Sequence, residues 1–450
     1  MTSNHYFFCG IGGSGMMPLS LIVRAQGHTV SGSDRSLDQG RIAAKFDWLT
    51  AQAIALFPQD GSGVTSREQI VVASAAVEDS VPDIVQATKL GCPRLSRADL
   101  LAQLFNASAQ GIAAAGTSGK STVTGMVGWI FHVLGKDPTV MNGAVMKNFA
   151  TADAPFASAL VGEGDAFISE VDESDGSIAL YTPDIAVLNN IALDHKSMEE
   201  LRALFADFIG KARVAVLNAD SDEVMALPRG ASITYSLGGN ADLVASEIVE
   251  RPDGVDFRVA EVAVSLQVPG RHNVSNAMAA LGAAVAAGVP LEDAAAALGG
   301  FTGLRRRLEL VGTANGITVI DDFGHNPDKI AATLNALHAF PGRLLIFFQP
   351  HGYGPLRLMG ADLARTFRER MHDEERLFLC DPVYFGGSVD RSVGSETVVE
   401  SVGDRAEHFA AREDCGSRIV ALARPGDRIV IMGARDDTLS AFARDLLSRL

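Results

Sequence analysis

Gly116-Thr117-Ser118-Gly119-Lys120-Ser121-Thr122 puts two glycines, four hydroxyl residues and a lysine into one turn and the start of a helix. Small residues let backbone N–H groups face phosphate oxygens, and a helix N-terminus adds a favourable dipole. In such a loop Lys120 reaches the β/γ-phosphates and the Ser121 hydroxyl ligates magnesium. A strict Walker A pattern wants glycine where Ala114 stands, so the regular expression alone fails. The context is right. Ile112 to Ala115 reads as a strand, and Val123, Met126, Val127, Ile130, Phe131 and Leu134 then recur at helical spacing, with Gly135 as a cap.

A second chemical segment is Ser169-Glu170-Val171-Asp172-Glu173-Ser174-Asp175, with four carboxylates in six residues. Such groups repel one another unless a cation or donors offset them. Glu170 ends a buried strand, where open α/β sheets place ligands. Arg305-Arg306-Arg307 in an acidic chain suggests an anion site, against the plainer reading of a solvated charge run. Gly10-Ile11-Gly12-Gly13-Ser14-Gly15 is a glycine-rich turn, and Asp34 follows at about the 20-residue spacing of a ribose-binding acid, so a nicotinamide-dependent oxidoreductase must be weighed. Cys9 reads as a small buried residue with no activating base in view.

These groups need strands and helices to hold them. His5–Cys9, the glycine turn, a helix over Met16–Ala25 and a strand from Thr29 form one βαβ unit, the start of a Rossmann-like sheet. Gln69–Ala76 is another strand, and Asp60–Ser66 a loop. Residues 166–169, 185–188 and 214–217 read as later strands, and Glu247–Val268 as antiparallel ones. Asn276–Leu298 reads as two alanine-rich helices broken at Gly288 and Pro290. A third α/β run has strands at 317–320, 344–348, 376–379 and 428–431. At roughly 100–200 residues per domain, 450 residues suggest three α/β domains. The boundaries are set at 1–107, a Rossmann-like domain; 108–302, a central P-loop domain; and 303–450, a second Rossmann-like domain.

The net charge of −16 argues against nucleic acid or an anionic membrane held by general charge. Four cysteines without CxxC spacing argue against a zinc site or a disulfide framework. No apolar run approaches the roughly 20 residues of a membrane span, and a cytoplasmic protein is expected.

The motifs resemble, in order and over nearly the whole chain, those of the Mur ligase family. Gly116–Thr122 resembles the family's GTxGK[ST]T loop. Ser169–Ser177 resembles EADESDxSF and Asn189–His195 resembles TNIxxDH, both from the branch that joins L-alanine to UDP-N-acetylmuramate. Gly10–Met16 is similar to that branch's GIGGxGM, and Val72–Ala76 to its VVSSAI. Gly270–Ala277 resembles G-x-HNxxNA, Phe301–Glu309 resembles F-x-G-x-x-R-R-x-E, and Ile320–Pro327 resembles DDYGHHP with Asn326 in place of the second histidine. Gln349-Pro350-His351 resembles FQPH, but the family's following HRYxR becomes His351-Gly352-Tyr353-Gly354-Pro355-Leu356-Arg357.

The resemblance implies an ATP- and Mg2+-dependent ligase that joins L-alanine or a similar amine to the lactyl carboxylate of UDP-N-acetylmuramate through an acyl-phosphate. It implies Lys120, Glu170, His195 and Arg307 as catalytic residues, with Ser121, Glu170 and His195 on magnesium. ATP would be held by Gly116, Thr117, Ser118, Gly119, Lys120, Ser121, Thr122, Asn273, Arg307 and Asp322. The UDP-sugar would meet Gly12, Gly13, Ser14, Gly15, Asp34 and Ser74. His325, His351 and Arg357 would serve the acyl centre and the amino-acid or peptide substrate. A monomer or homodimer is expected. A murein-recycling peptide ligase is the alternative within the family; an oxidoreductase, or a non-catalytic nucleotide-binding sensor, is the alternative outside it.

Overall fold

The computed structural model describes residues 3–75, 77–193, 196–382, 390–434, 436 and 438–450. The chain forms two compact units, Met1–Gly303 and Leu304–Leu450.

The first unit holds two sheets. Short runs of β-branched and aromatic residues form the first, with all strands parallel in the order Ala55–Phe57, Thr29–Ser33, His5–Cys9, Gln69–Ala73, Arg94–Ser96. The order reverses beside His5–Cys9, which opens a crevice at the carboxyl end of that strand. The helix Met16–Ala25 begins directly after the glycine turn, as its spacing predicts.

The second sheet has Gln110–Ala115 near its centre, flanked in parallel by Ala166–Glu170 and Ile185–Leu188. These three strands are almost wholly buried and mostly apolar, as parallel strands covered on both faces must be. The expected antiparallel run is present as Leu243–Arg251, Gly254–Val259 and Val262–Leu266. The alanine-rich stretch is two helices, Arg271–Ala286 and Leu291–Leu298. Small residues let the first lie close to the sheet: a Cβ on Gly282 would fall 2.6 Å from Val216.

One apolar cluster runs through both sheets of this unit. It contains Leu19, Ile22, Leu100 and Phe105 together with Met141, Phe167 and Ala186. Segments 1–107 and 108–302 therefore share a core, because removing apolar surface from water does not respect sequence boundaries.

The second unit is a six-stranded sheet. Ile317–Asp322, Arg428–Gly433, Leu344–Gln349, Arg376–Cys380 and Ala406–Phe409 are parallel, and Glu309–Ala314 pairs antiparallel at one edge. Leu344–Gln349 is buried along its whole length. Among the described residues, no helix is long and apolar enough to cross a membrane.

Candidate active site

The phosphate-type loop leaves the strand Gln110–Ala115 and enters the helix Lys120–Val133. Ala114 is buried inside the strand, so the absent Walker glycine lies outside the turn and costs the turn nothing. The turn is made by Gly116 at φ +124° and Gly119 at φ +88°. A Cβ on Gly119 would lie 2.4 Å from Asn276 Oδ1 and 2.5 Å from Asn189 Nδ2, so only glycine fits. Asn190 braces the outer side: its Oδ1 accepts from the Ser118 N–H at 2.8 Å, and its backbone carbonyl accepts from the Thr117 N–H. The N–H groups of Lys120, Ser121 and Thr122 open the helix and have no intrahelical acceptor, which suits them to an anion.

Lys120 and Ser121 turn toward the carboxylates after Ala166–Glu170. Lys120 Nζ donates to Glu173 Oε2 at 2.8 Å and to the Gly116 carbonyl at 2.9 Å. Ser121 Oγ donates to Glu170 Oε2 at 2.5 Å. The other oxygen of Glu170 rests against Gly143, where a Cβ would come within 2.1 Å of it. Asn142, wholly buried, braces the first turn of the helix Lys120–Val133 by donating to the Ser121 carbonyl. Burial pushes the Asp172 carboxyl upward, but Lys120 and the Ser174 N–H outweigh it and hold Asp172 below the usual carboxylate range. The carboxylates are thus offset by donors, as their crowding requires. The oxygen donors of Ser121 and Glu170 suit a hard dication such as Mg2+. His195, expected beside them, lies outside the described residues.

A pocket joins this centre to the first sheet. Gly15 and Arg97 line it together with Lys120, Glu170, Asp172 and Tyr181. Arg97 Nη2 lies 3.6 Å from Asp175 Oδ2, and its side chain covers Gly15. In the glycine turn, Gly13 and Ser14 are exposed, while Gly12 packs against Phe46. Asp34 caps the short helix Arg35–Asp38 and accepts from the N–H groups of Ser36 and Gly12, both at 2.8 Å. A carboxylate offers about four lone-pair sites, so Asp34 keeps capacity for ribose hydroxyls. Ser74 follows the strand Gln69–Ala73 and is partly exposed, its carbonyl accepting from the Val77 N–H. Cys9 is buried, and burial foremost, with Asp83 nearby, raises its thiol to about 12, which fits the inert reading.

Asn273 and Asn276 sit in the first turn and a half of Arg271–Ala286, and both are buried. Asn273 Nδ2 donates to the Pro269 carbonyl at 2.7 Å, and its Oδ1 accepts from Asn276 Nδ2 at 3.1 Å. One N–H and one lone pair of the Asn273 amide remain for a purine edge. Asn276 Oδ1 accepts from Asn189, whose own Oδ1 accepts from Tyr235. This buried amide chain ties the helix start to the phosphate-type loop.

In the second unit, the three arginines do not act alike. Arg306 is buried in the left-handed region at φ +59°. Its guanidinium donates to the carbonyls of Gly433 at 2.6 Å and Asp436 at 3.0 Å and faces Asp321 at 3.4 Å. The reading of all three arginines as an anion site is therefore corrected: Arg306 is spent on internal acceptors. Arg307 lies over the Phe323 ring, 4.9 Å from its centroid. Asp322 accepts from the Leu308 and Gly324 N–H groups and from the Thr333 hydroxyl, which leaves about one lone pair for a ligand hydroxyl. Asn326, in place of the family's second histidine, caps the helix Pro327–His338 by accepting from the Lys329 N–H. Arg357 is half exposed and paired with Asp390 at 2.8 Å.

His325 donates from Nδ1 to the Phe323 carbonyl at 2.9 Å and packs edge-on to His351, centroids 5.0 Å apart. Burial, helped by Lys329, lowers its imidazole from 6.5 to about 3, so it is neutral at working pH. A folded pKa below the unfolded one means the unfolded chain binds the extra proton first. The stability that His325 lends by staying neutral is therefore lost as pH falls below 6.5 toward 3. His325→Gln is expected to flatten that part of the stability–pH curve, measured by denaturant unfolding at stepped pH; an unchanged slope would contradict it.

Sequence reading missed Lys45, Arg97, Asn142 and Gly143. Lys45 is buried and donates from Nζ to the Gly12 carbonyl at 3.1 Å, so it holds the glycine turn from beneath. Its one signal is a lysine beside Phe46 in the short helix Ala43–Ala51. Arg97, Asn142 and Gly143 carry none, because the acid cluster brings them in only through folding.

Models of three Mur ligase regions match the chain: the family's catalytic domain over residues 5–109, its middle domain over 114–284 and its glutamate ligase domain over 306–435. A UDP-N-acetylmuramate–L-alanine ligase of Geobacter sp. is 34% identical, covering 95% of this chain and 94% of that protein. A ligase of the same name from Acidithiobacillus ferrooxidans is 37% identical over 84% and 82% of the two chains. Among solved structures, the UDP-N-acetylmuramate–alanine ligase of Thermotoga maritima superimposes with a TM-score of 0.81 at 22% identity, over 99% and 98% of the chains. A murein peptide ligase from Psychrobacter arcticus gives 0.74 at 24%, with the same coverage. Those two likenesses show the fold; the full-length identities with the curated relatives show more, and by them this chain belongs to the Mur ligase family.

Proposed function

We propose that the protein is an ATP-dependent ligase that joins L-alanine to the lactyl carboxylate of UDP-N-acetylmuramate through an acyl-phosphate. The observation that carries the reading is the meeting of Lys120 and Ser121 with Glu173 and Glu170 at the mouth of the glycine turn. The names of the relatives supply the substrates.

A carboxylate is a poor electrophile at neutral pH. Transfer of the ATP γ-phosphoryl group to it supplies a leaving group, which the amine then displaces as phosphate. Two anions must be held together for the first step, so positive charge and donors are the main requirement. Lys120 and the N–H groups of the turn bind the phosphates. Ser121 and Glu170, with His195, are the residues proposed to hold Mg2+, which when bound neutralises phosphate charge. Arg97, on the same pocket wall, is proposed to orient the acid substrate. The exposed N–H groups around Gly13 and Ser14 take the UDP diphosphate, with Asp34 and Ser74 beside the uridine. In the second unit, His351 and Arg357 are proposed for the amine substrate's carboxylate. The domain division at 107 and 302 belongs to the same proposal.

The test is phosphate release with ATP, Mg2+ and UDP-N-acetylmuramate against a panel of glycine, L-alanine, L-serine and the L-alanyl-γ-D-glutamyl-diaminopimelate tripeptide. Release with L-alanine is expected. Release only with the tripeptide would replace the amine in the proposal, and release with none would reject it. Lys45→Met removes the cation beneath the glycine turn. It is expected to weaken UDP-sugar binding by roughly 10–100-fold, the scale of one charge-assisted hydrogen bond, without changing ATP binding. Equilibrium dialysis with each nucleotide checks both halves.

A further inference from the structure

The second unit gathers two imidazoles and a carboxylate at the amino ends of its parallel strands, away from the strand ends that carry Asp322 and Gln349. His338 closes the helix Pro327–His338, and Glu375 immediately precedes the strand Arg376–Cys380. His372 lies three residues before Glu375. The Glu375 side chain is 2% exposed and that of His338 14%, whereas that of His372 is 67% exposed.

Glu375 Oε1 lies 2.9 Å from His338 Nε2 and 3.9 Å from His372 Nδ1. Its Oε2 accepts from the His372 backbone N–H at 2.9 Å. The two imidazoles stack, with centroids 3.9 Å apart and planes at 20°. One ligand atom from each residue falls within 4.8 Å of the other two. The turn that carries His338 is anchored: Arg428 donates to the carbonyls of Leu337 at 2.6 Å, Phe340 at 2.9 Å and Gly342 at 2.8 Å. A buried Glu–His ion pair would explain His338 alone. It leaves unexplained why an exposed histidine lies flat on that pair with a ring nitrogen turned to the same carboxylate oxygen.

We propose that His338, His372 and Glu375 form a site for a borderline transition-metal dication of the zinc type. Two imidazole nitrogens and one carboxylate oxygen are the donor set such ions take, and hard Mg2+ does not prefer it. Bond lengths of about 2.0–2.1 Å put tetrahedral ligand atoms about 3.3 Å apart. His338 Nε2 lies 2.9 and 3.1 Å from the two Glu375 oxygens, a few tenths of an ångström short of that separation. Ligation requires the exposed His372 ring to leave its stack on His338 and turn a ring nitrogen to the ion, a change of rotamer at a side chain that is 67% exposed. A bound ion ties the end of one helix to the start of the neighbouring strand, and it stabilises the unit by mass action.

The test uses the full-length, chelator-treated chain with Mg2+ in excess, titrated with Zn2+ alone by calorimetry. One Zn2+ is expected to bind at micromolar concentration, with a rise in unfolding temperature. His372→Ala, at an exposed position that the fold does not need, is expected to weaken binding at least about tenfold. His408→Ala reports on a second His–carboxylate group among the described residues, Asp381, Glu396 and His408, and is expected to leave the affinity unchanged. Co2+ in place of zinc should give the visible bands of a nitrogen-ligated site, lost in His372→Ala. Equal Zn2+ affinity in the parent and His372→Ala, or loss in His408→Ala instead, overturns the assignment.

Discussion

Lys120→Ala is expected to lower ATP-dependent phosphate release by about 10³-fold or more, on the order of 4 kcal/mol of transition-state stabilisation. The ammonium group bridges the glycine turn and the acid cluster, 2.9 Å from the Gly116 carbonyl and 2.8 Å from Glu173. In the proposed reaction, charge on the transferring phosphoryl group would develop beside that cation, so the loss is expected to fall on the chemical step. UDP-sugar binding should persist, because Gly12 to Gly15, Asp34 and Lys45 belong to the first sheet and its helices. Glu173 is itself buried, so the variant leaves a carboxylate without its cation at a cost of about 1–3 kcal/mol. A thermal melt and a UDP-sugar binding isotherm separate that cost from catalysis. A folded Lys120→Ala protein that still ligates at the parent rate would remove the phosphate-loop assignment.

Arg306→Met should destabilise the second unit by about 3–5 kcal/mol. Arg306 is buried with Asp321, and Asp321 is itself fully buried. Burial lifts the Asp321 carboxyl to about 6 even with Arg306 beside it. Removing the guanidinium strands that carboxylate and leaves the carbonyls of Gly433 and Asp436 without their donor. Asp321→Asn in the Arg306→Met background should recover part of the loss, because the uncompensated charge is then gone. Denaturant unfolding of the parent, Arg306→Met, Asp321→Asn and the double variant forms the double-mutant cycle. Equal stability of Arg306→Met and the parent would contradict the buried-anchor reading.

Apolar runs and periodicity locate most of the elements before any coordinates are known. His5–Cys9, Met16–Ala25 and Ile185–Leu188 have the same bounds in the structure as in the sequence reading. Short or edge strands escape. Ala55–Phe57, Arg94–Ser96 and Ala159–Leu160 have two or three residues each, too few for a period to register. The strand expected over Gln69–Ala76 ends at Ala73, where the chain turns at Ser74.

The site divides in the same way. The glycine turn, its lysine and the carboxylates are local in sequence, so residue type and spacing disclose them. Which carboxylate meets which partner is not local. Glu170 pairs with Ser121 and Glu173 with Lys120 because the strands Gln110–Ala115 and Ala166–Glu170 lie side by side in a fixed register. Arg97 reaches the same pocket only because the two sheets of the first unit share an apolar core. The three arginines look equivalent as a run of charge, yet backbone geometry at Arg306 turns one inward. By itself, then, the amino-acid order determined the α/β class, the phosphate-type turn and the family resemblance, since each rests on contacts between near neighbours. Tertiary structure alone decided how the charges pair, which arginine is buried and where Lys45 and Arg97 act, because those outcomes depend on strand register and core packing between distant segments.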